Sequence, residues 1–357
     1  MSTFVSVIFA ILLFSILIFV HELGHFLTAK AFKVRVNEFA MFMGPAIFKK
    51  KIGETQYSIR CIPIGGYCSM EGEDEDTDDP RSFQKAAWWK RLIILVAGAA
   101  MNFIAGLVLF AIVYMPMTEM AVPVIDNFTE QSLVCGEDGL QVGDEIVKID
   151  GEKIFVYGDI SNILTINGGD VHDIEVLRNG KKVLLDDFVM QSYEVTDADG
   201  NQYRMYGINF TTVTPTFLDK LQYVWDFSLD NIRNVRMALQ MLFTGKAGIK
   251  DMSGAVGIVA IMSDAATEAE SSKDAIITMT YFCGFLAVNL AVMNLLPVPA
   301  LDGGRVVALL LTTAIQAITK KKINPKYEGY IHAVGMVLLL VFMALITFKD
   351  IFTIFKG

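Results

Sequence analysis

Charge is scarce in this 357-residue chain. Asp, Glu, Lys and Arg make up 19% of it, against 53% hydrophobic residues. A mean hydropathy of +0.46 excludes an ordinary soluble globular protein and points to membrane spans. Basic residues number 30 against 39 acidic ones, for a formal net charge of −9, and no basic stripe dominates. That balance argues against nucleic acid as a partner. The four cysteines (Cys61, Cys68, Cys135, Cys283) show neither C-x-x-C spacing nor the density of a disulfide scaffold. Histidine is equally sparse, at four residues.

What the chain does have is long uncharged runs. A helix needs about 20 largely apolar residues to cross the hydrocarbon core. Residues 1–20 carry no charge, and the apolar character continues to Ala29; Leu92–Thr118, Ala275–Leu301 and Ile331–Phe348 are three more such runs. Four spans are expected. The first lacks a basic leader and is followed by functional-looking residues, so it reads as retained rather than as a cleaved signal peptide. Lys30, Lys33, Lys90 and Arg91 border spans one and two, and Lys320, Lys321, Lys322 and Lys326 precede span four. Thr118–Val147 holds no basic residue. Loops 31–90 and 319–328 are therefore expected on the cytoplasmic side of the membrane, with both termini and the segment after span two outside.

Between spans one and two, residues 55–70 alternate and break at Gly65-Gly66, predicting a β-hairpin or a looped strand pair. The acidic run Glu71–Asp79 reads as a solvated loop; calcium binding fits it poorly, since no EF-hand spacing is present. After span two, Asp150-Gly151 and Asn179-Gly180 predict tight turns between strands of a small α/β domain. Residues 216–243 place apolar side chains at helical spacing, suited to a membrane surface or to packing on that domain. Residues 253–262 are uncharged but too short to span, hence re-entrant or interfacial.

The chemistry centres on residues 19–30, FVHELGHFLTAK. His21 and His25 are four residues apart, on one helix face, where both imidazoles reach one zinc ion. Glu22 lies between them as the general base of H-E-x-x-H. Ionisable side chains at membrane depth cost roughly 2.5–3.5 kcal/mol on insertion scales, so they need a partner or a task. Zinc also needs a third protein ligand. His172 and His332 sit in no motif and read as structural or surface residues. Asp302, the first charge after a 27-residue apolar run, lies in a stretch broken by Pro297, Pro299, Gly303 and Gly304. A broken helix at membrane depth lines a protein cavity, which favours Asp302 as the ligand over a mere cap of the next helix.

H-E-x-x-H in the first span with Asn294-x-x-Pro297-x-Pro299-x-Leu301-Asp302-Gly303 in a later one resembles the signature of site-2 proteases, intramembrane zinc metalloproteases. MGPAIF (43–48), IPIGGYCSM (62–70), AGAAMNF (97–103) and SGAVGIV (253–259) resemble that family's secondary motifs in order. Ala99 and Ala255 stand where members often carry proline. Gly143-Asp144-Glu145-Ile146-Val147-Lys148-Ile149-Asp150-Gly151 looks like the PDZ stretch of bacterial members that regulate sigma-factor stress responses. The usual Ser-Pro-Ala before it is replaced by Ser132-Leu133-Val134.

The resemblance implies one Zn2+ per chain held by His21, His25 and Asp302, with Glu22 as base. Asn294 then orients substrate or stabilises the oxyanion, and Pro297 and Pro299 shape the site. Asn102 is a further substrate-positioning candidate, unless it only bonds a neighbouring helix. The implied architecture is a polytopic α-helical membrane protein with four transmembrane helices, a membrane-associated β-hairpin and one inserted α/β PDZ domain. Its segments are 1–30 (first helix), 31–90 (loop with the hairpin), 91–118 (second helix), 119–213 (PDZ domain), 214–274 (amphipathic helix and interfacial segment), 275–318 (third helix) and 319–357 (basic loop and fourth helix). The expected partners are the lipid bilayer and single-pass membrane proteins, either anti-sigma factors or remnant signal peptides. A non-catalytic PDZ scaffold requires a lost ligand or base, and none is lost. A transporter requires an internal repeat, and none is visible.

Overall fold

The computed structural model describes residues 3–73, 77–136, 138–196, 202–320 and 325–356. Helix α1 (Thr3–Ala31) leads into strands β1 (Val36–Ile52) and β2 (Thr55–Met70) and helix α2 (Trp88–Tyr114). Next come β3 (Met120–Phe128), β4 (Glu145–Ile149), β5 (Glu152–Lys153), α3 (Asp159–Asn167), β6 (Val171–Arg178) and β7 (Lys181–Val189). Strands β8 (Tyr193–Thr196), β9 (Gln202–Met205) and β10 (Ile208–Val213) precede helix α4 (Phe217–Phe243). Helices α5 (Ala255–Thr267), α6 (Ser272–Asn294), α7 (Asp302–Thr319) and α8 (Pro325–Lys356) complete the chain.

Among the described residues, four helices are long and apolar enough to cross a membrane: Ile11–Ala31, Trp88–Tyr114, Ser272–Asn294 and Gly329–Thr353. This is the expected set of spans, with several boundaries moved by a few residues. Ala275–Leu301 is not one helix, because α6 stops at Asn294. The fold divides into two compact units, Met1–Val113 with Asn231–Gly357, and Tyr114–Asp230.

In the first unit, α1 ends on paired backbone bonds, Lys33 N–H to the Lys30 carbonyl and Val34 N–H to the Ala29 carbonyl, with Lys33 left-handed at φ 63°. This is the Schellman arrangement, which satisfies carbonyls the helix end leaves open. The chain then enters β1. Residues 55–70 do not form a hairpin of their own, but as a looped strand pair their two halves, 56–59 and 66–70, occupy separate lanes against 36–41. They are one strand, β2, and the turn lies before it at Gly53, where φ is 62°. The two long strands pair doubly: Phe39 stands opposite both Cys68 and Tyr57, and Tyr57 opposite both Phe39 and Lys50. The result is a four-lane sheet with residues 46–52 and 66–70 outermost. It is pinned to α1 by Ser15 Oγ donating to the Pro63 carbonyl at 2.9 Å. Phe19 and Phe26 of α1 add ring contacts with Phe39, at centroid distances of 5.4 and 4.7 Å.

Helices α1 and α2 approach closely because glycine lies on each. A Cβ on Gly24 would stand 2.3 Å from the Ala97 carbonyl oxygen. Gly106 and Gly284 do the same for α2 and α6, against Val288 and Phe110. Small residues are the usual means of tight helix packing in lipid, where no hydrophobic force drives helices together. Leu17, Met262, Ala266, Met279, Cys283 and Ala287 form a buried cluster joining α1, α5 and α6, so the 253–262 stretch is part of a packed helix. Asp350 of α8 accepts from the Gly254 and Gly257 N–H groups, both at 2.9 Å, at the start of α5. The acidic run is less solvated than expected. Glu71 accepts from Asn37, Asp79 pairs with Arg35, and Glu73 pairs with Arg305 of α7. Asp74, Glu75 and Asp76 lie outside the described residues, as do Lys321 and Lys322 of the basic loop.

The second unit is a sheet in the order β10-β3-β4-β6-β7, with β5 paired to β4, and α3 beside it. Both predicted turns are present, with φ 51° and 79° at Asp150-Gly151 and 50° and 75° at Asn179-Gly180. These are the positive values that two-residue hairpin turns need. Asp144, fully buried, takes a bidentate pair from Arg178 at 2.8 and 2.7 Å. His172 is structural, as expected: buried, it donates to Asp150 at 2.8 Å.

Candidate metal centre

Helix α1 brings His21 and His25 onto one face, and α7 brings Asp302 from its first residue. The Nε2 atoms of His21 and His25 are 3.2 Å apart, and lie 2.9 and 3.2 Å from Asp302 Oδ2. Both histidines are buried. Among the described residues this is the one cluster of three His, Cys, Asp or Glu ligand atoms able to hold a metal ion.

The surroundings decide which nitrogen each imidazole offers. His25 Nδ1 lies 2.8 Å from the Ile94 carbonyl, which only accepts, so Nδ1 carries the proton and the Nε2 lone pair is left for a cation. His21 Nδ1 faces two carboxamides, Asn102 at 3.4 Å and Asn294 at 3.3 Å. Asn102 is buried, and its Oδ1 has no hydrogen-bond partner. Turning that amide over brings Oδ1 to an Nδ1–H of His21 and likewise frees Nε2. An outer partner on the second ring nitrogen is the usual way a ligating histidine is oriented.

Two imidazole lone pairs and a carboxylate oxygen at such separations repel unless a cation lies between them. At the ordinary Zn–N and Zn–O lengths of about 2.0–2.1 Å, neighbouring ligands of a tetrahedral zinc stand roughly 3.3 Å apart. The spacing of 2.9–3.2 Å fits that donor set. Backbone packing makes room for it. The Cβ that Gly98 lacks would fall 2.4 Å from His25 Nε2 and 2.7–2.8 Å from His21 ring atoms.

Glu22 follows His21 on α1, and a Cβ on Gly66 of β2 would meet its Cγ at 3.6 Å. The outer lane 66–70 therefore passes directly beside the candidate base. Asn294 ends α6 and turns its amide to His21, in contact with the ligand set. Pro297 and Pro299 form the break between α6 and α7. Gly303 and Gly304 fold back onto it, their missing side chains replaced by the Leu295, Leu296 and Val298 carbonyls at 2.3 Å. Sequence reasoning passed over Gly98 and Ile94. The AGAAMNF motif holds Gly98 as well as Asn102, and four-residue spacing on one helix was the signal that both share a face.

Comparison with known proteins follows the same lines. The profile of peptidase family M50 matches residues 9–342. A protein of Clostridium acetobutylicum that bears the name of a zinc metalloprotease is 38% identical over 357 residues, covering 98% of each chain. One of Fusobacterium nucleatum, similarly named, is 34% identical over 354 residues, 97% of this chain and 98% of its own. The regulator of sigma-W protease RasP of Bacillus subtilis is 27% identical over 435 aligned positions, covering 98% of this chain and 99% of that one.

Proposed function

The chain belongs to peptidase family M50, whose relatives bear the name of zinc metalloproteases, and we propose that it cuts single-pass membrane proteins at a zinc site buried among its own spans. The observation that carries this reading is the convergence of His21 Nε2, His25 Nε2 and Asp302 Oδ2 inside a helical membrane unit. One zinc per chain is held by these three. When bound, zinc supplies Lewis-acid chemistry, polarising a carbonyl and acidifying water.

Glu22 has the protein's part in the proton transfers. Beside the ligands but not among them, its carboxylate takes a proton from the attacking water and returns it to the leaving amine. With its amide turned so that Oδ1 accepts from Nδ1–H, Asn102 holds His21 in the tautomer that leaves Nε2 bare. Asn294 sits at the end of α6, next to the Pro297–Pro299 break, so it also faces the path of a peptide entering there. The lane 66–70 is the outermost of its sheet and borders Glu22. A substrate segment unwound into a strand pairs with it by strand addition. Unwinding is required because a helix keeps its carbonyls hydrogen-bonded and shielded.

The regulator of sigma-W protease among the relatives favours anti-sigma factors, cut within or near their spans, as substrates; remnant signal peptides are the alternative. The 119–213 unit is read as a PDZ domain. Its edge strand β10 and helix α3 flank a groove lined by Ile160, Leu164, Ile208 and Phe210, the shape that takes an extended peptide. Lys30, Lys33, Lys90 and Arg91 support the reading of 31–90 as cytoplasmic, with 119–213 outside.

The test is Glu22→Gln in the full-length protein with a tagged single-span substrate. Cleavage falls by about 10²–10⁴-fold, the usual worth of a general base, while zinc content stays at one per chain. Asp302→Ala loses zinc. Undiminished cleavage in the first variant, or undiminished zinc in the second, removes the reading.

A further inference from the structure

The break between α6 and α7 leaves five backbone N–H groups, at Leu295, Leu296, Val298, Ala300 and Leu301, since Pro297 and Pro299 have none. At membrane depth each needs a partner inside the protein. Four find one locally: Leu295 to Val292, Leu296 to Met293, Val298 to Leu296 and Leu301 to Val298, at 2.7–3.1 Å. The fifth does not. Ala300 donates to Nδ1 of His332, 3.1 Å away on α8. Ala300 is also the residue under strain, with φ 81°, a left-handed conformation that residues with a Cβ rarely adopt. It stands two positions before Asp302. Three residues along α8, Gly335 lies against the same break; a Cβ there would come within 2.4–2.9 Å of Pro299. The fourth span therefore touches the strained turn through the close approach of Gly335 and the hydrogen bond to His332.

We infer that His332 is a positioning residue for the metal ligand. Its Nδ1 accepts the Ala300 amide, holds Ala300 left-handed, and so fixes the first turn of α7 from which Asp302 reaches His21 and His25. This rests on Asp302 being a zinc ligand. A histidine suits the task because its other ring nitrogen carries the proton, leaving Nδ1 an acceptor. Outer partners of this kind commonly govern metal affinity by 10–100-fold.

The experiment uses the full-length protein in detergent or nanodiscs, reading zinc affinity by chelator competition and cleavage by kcat and KM. His332→Ala is expected to weaken zinc about 10–100-fold and lower kcat, with KM little changed. His332→Asn, whose side-chain carbonyl still accepts, stays near wild type. Ala300→Gly added to His332→Ala recovers most of the loss, because glycine adopts the left-handed turn unaided. A general folding defect in α8 is not repaired by a change at Ala300, so this rescue separates positioning from mere stability. Wild-type zinc affinity in His332→Ala overturns the inference, as does an equal loss in His332→Asn or a defect that Ala300→Gly leaves in place. Asp302→Ala in the same assay separates the two readings. Zinc retained there removes the ligand reading itself, whereas zinc lost there but kept by His332→Ala overturns the positioning role alone.

Discussion

Gly98 carries no side chain, and the atoms nearest its missing Cβ belong to His25 and His21. A methyl group there has nowhere to go, since α2 is locked to α1 at Gly24. Gly98→Ala is therefore expected to push one imidazole aside by a few tenths of an ångström or more. Displacements on the ångström scale cost up to about 10²-fold in rate. Cleavage of the tagged substrate should fall by at least tenfold, with zinc content lowered in parallel; an active variant at full zinc content contradicts the geometry. H-E-x-x-H and Asp302 were legible as residues because few other polar groups lie in apolar runs. Gly98, Ile94 and the acceptor role of His332 were not, because a glycine, a backbone carbonyl and a lone histidine carry no motif.

At the scale of elements, α5 and α8 are joined through Asp350, whose carboxylate takes two N–H groups at the α5 N-terminus. This is side-chain capping from another helix, and it also meets the positive end of the α5 dipole. Asp350→Ala should lower stability by about 1–2 kcal/mol, as cap removal does. Thermal unfolding of the purified protein measures it, and an unchanged midpoint contradicts the capping role. Glu73 and Arg305 join the segment after β2 to α7 in the same manner. Breaking that tie with Arg305→Ala should reduce cleavage more than zinc content, because the lane 66–70 rather than the ligand set is loosened. Equal losses of both contradict that division. Helix and strand periods gave the spans and the alternating character of 55–70. They did not give the partner of β2, because pairing register depends on β1, a separate stretch with its own turn at Gly53.

At the scale of the whole molecule, the two compact units differ in chemistry. The 114–230 unit packs its own apolar core of Ile125, Ile146, Ile149, Ile163 and Ile174 beside the Asp144–Arg178 pair, and it carries a pH dependence of its own. Partial burial raises the Asp150 carboxyl, but hydrogen bonds from His172, the Asp173 N–H and Asn167 outweigh it, holding the group below its usual range. A depressed folded value means the unfolded chain binds the proton more readily. The resulting stability is present above the ordinary carboxylate range, near pH 4, and is lost as pH falls below it through the depressed value. The unfolding midpoint assigned to this unit should fall as pH drops below about 4, and Asp150→Asn should flatten that slope. A slope unchanged by the substitution rules Asp150 out as its source.

Composition and uncharged run lengths alone determined a four-span membrane protein, because crossing lipid demands about 20 apolar residues whatever the packing. The motifs pointed to two candidate ligands and a candidate base, because ligation by one helix is a matter of spacing along one chain. Tertiary structure decided what spacing does not encode. It brought Asp302 to the histidines across 277 residues of sequence, fixed the His25 nitrogen through the Ile94 carbonyl, and set His332 against Ala300. Those contacts depend on how close two helices come. That distance is fixed by glycines whose significance appears only when the opposite surface is in place.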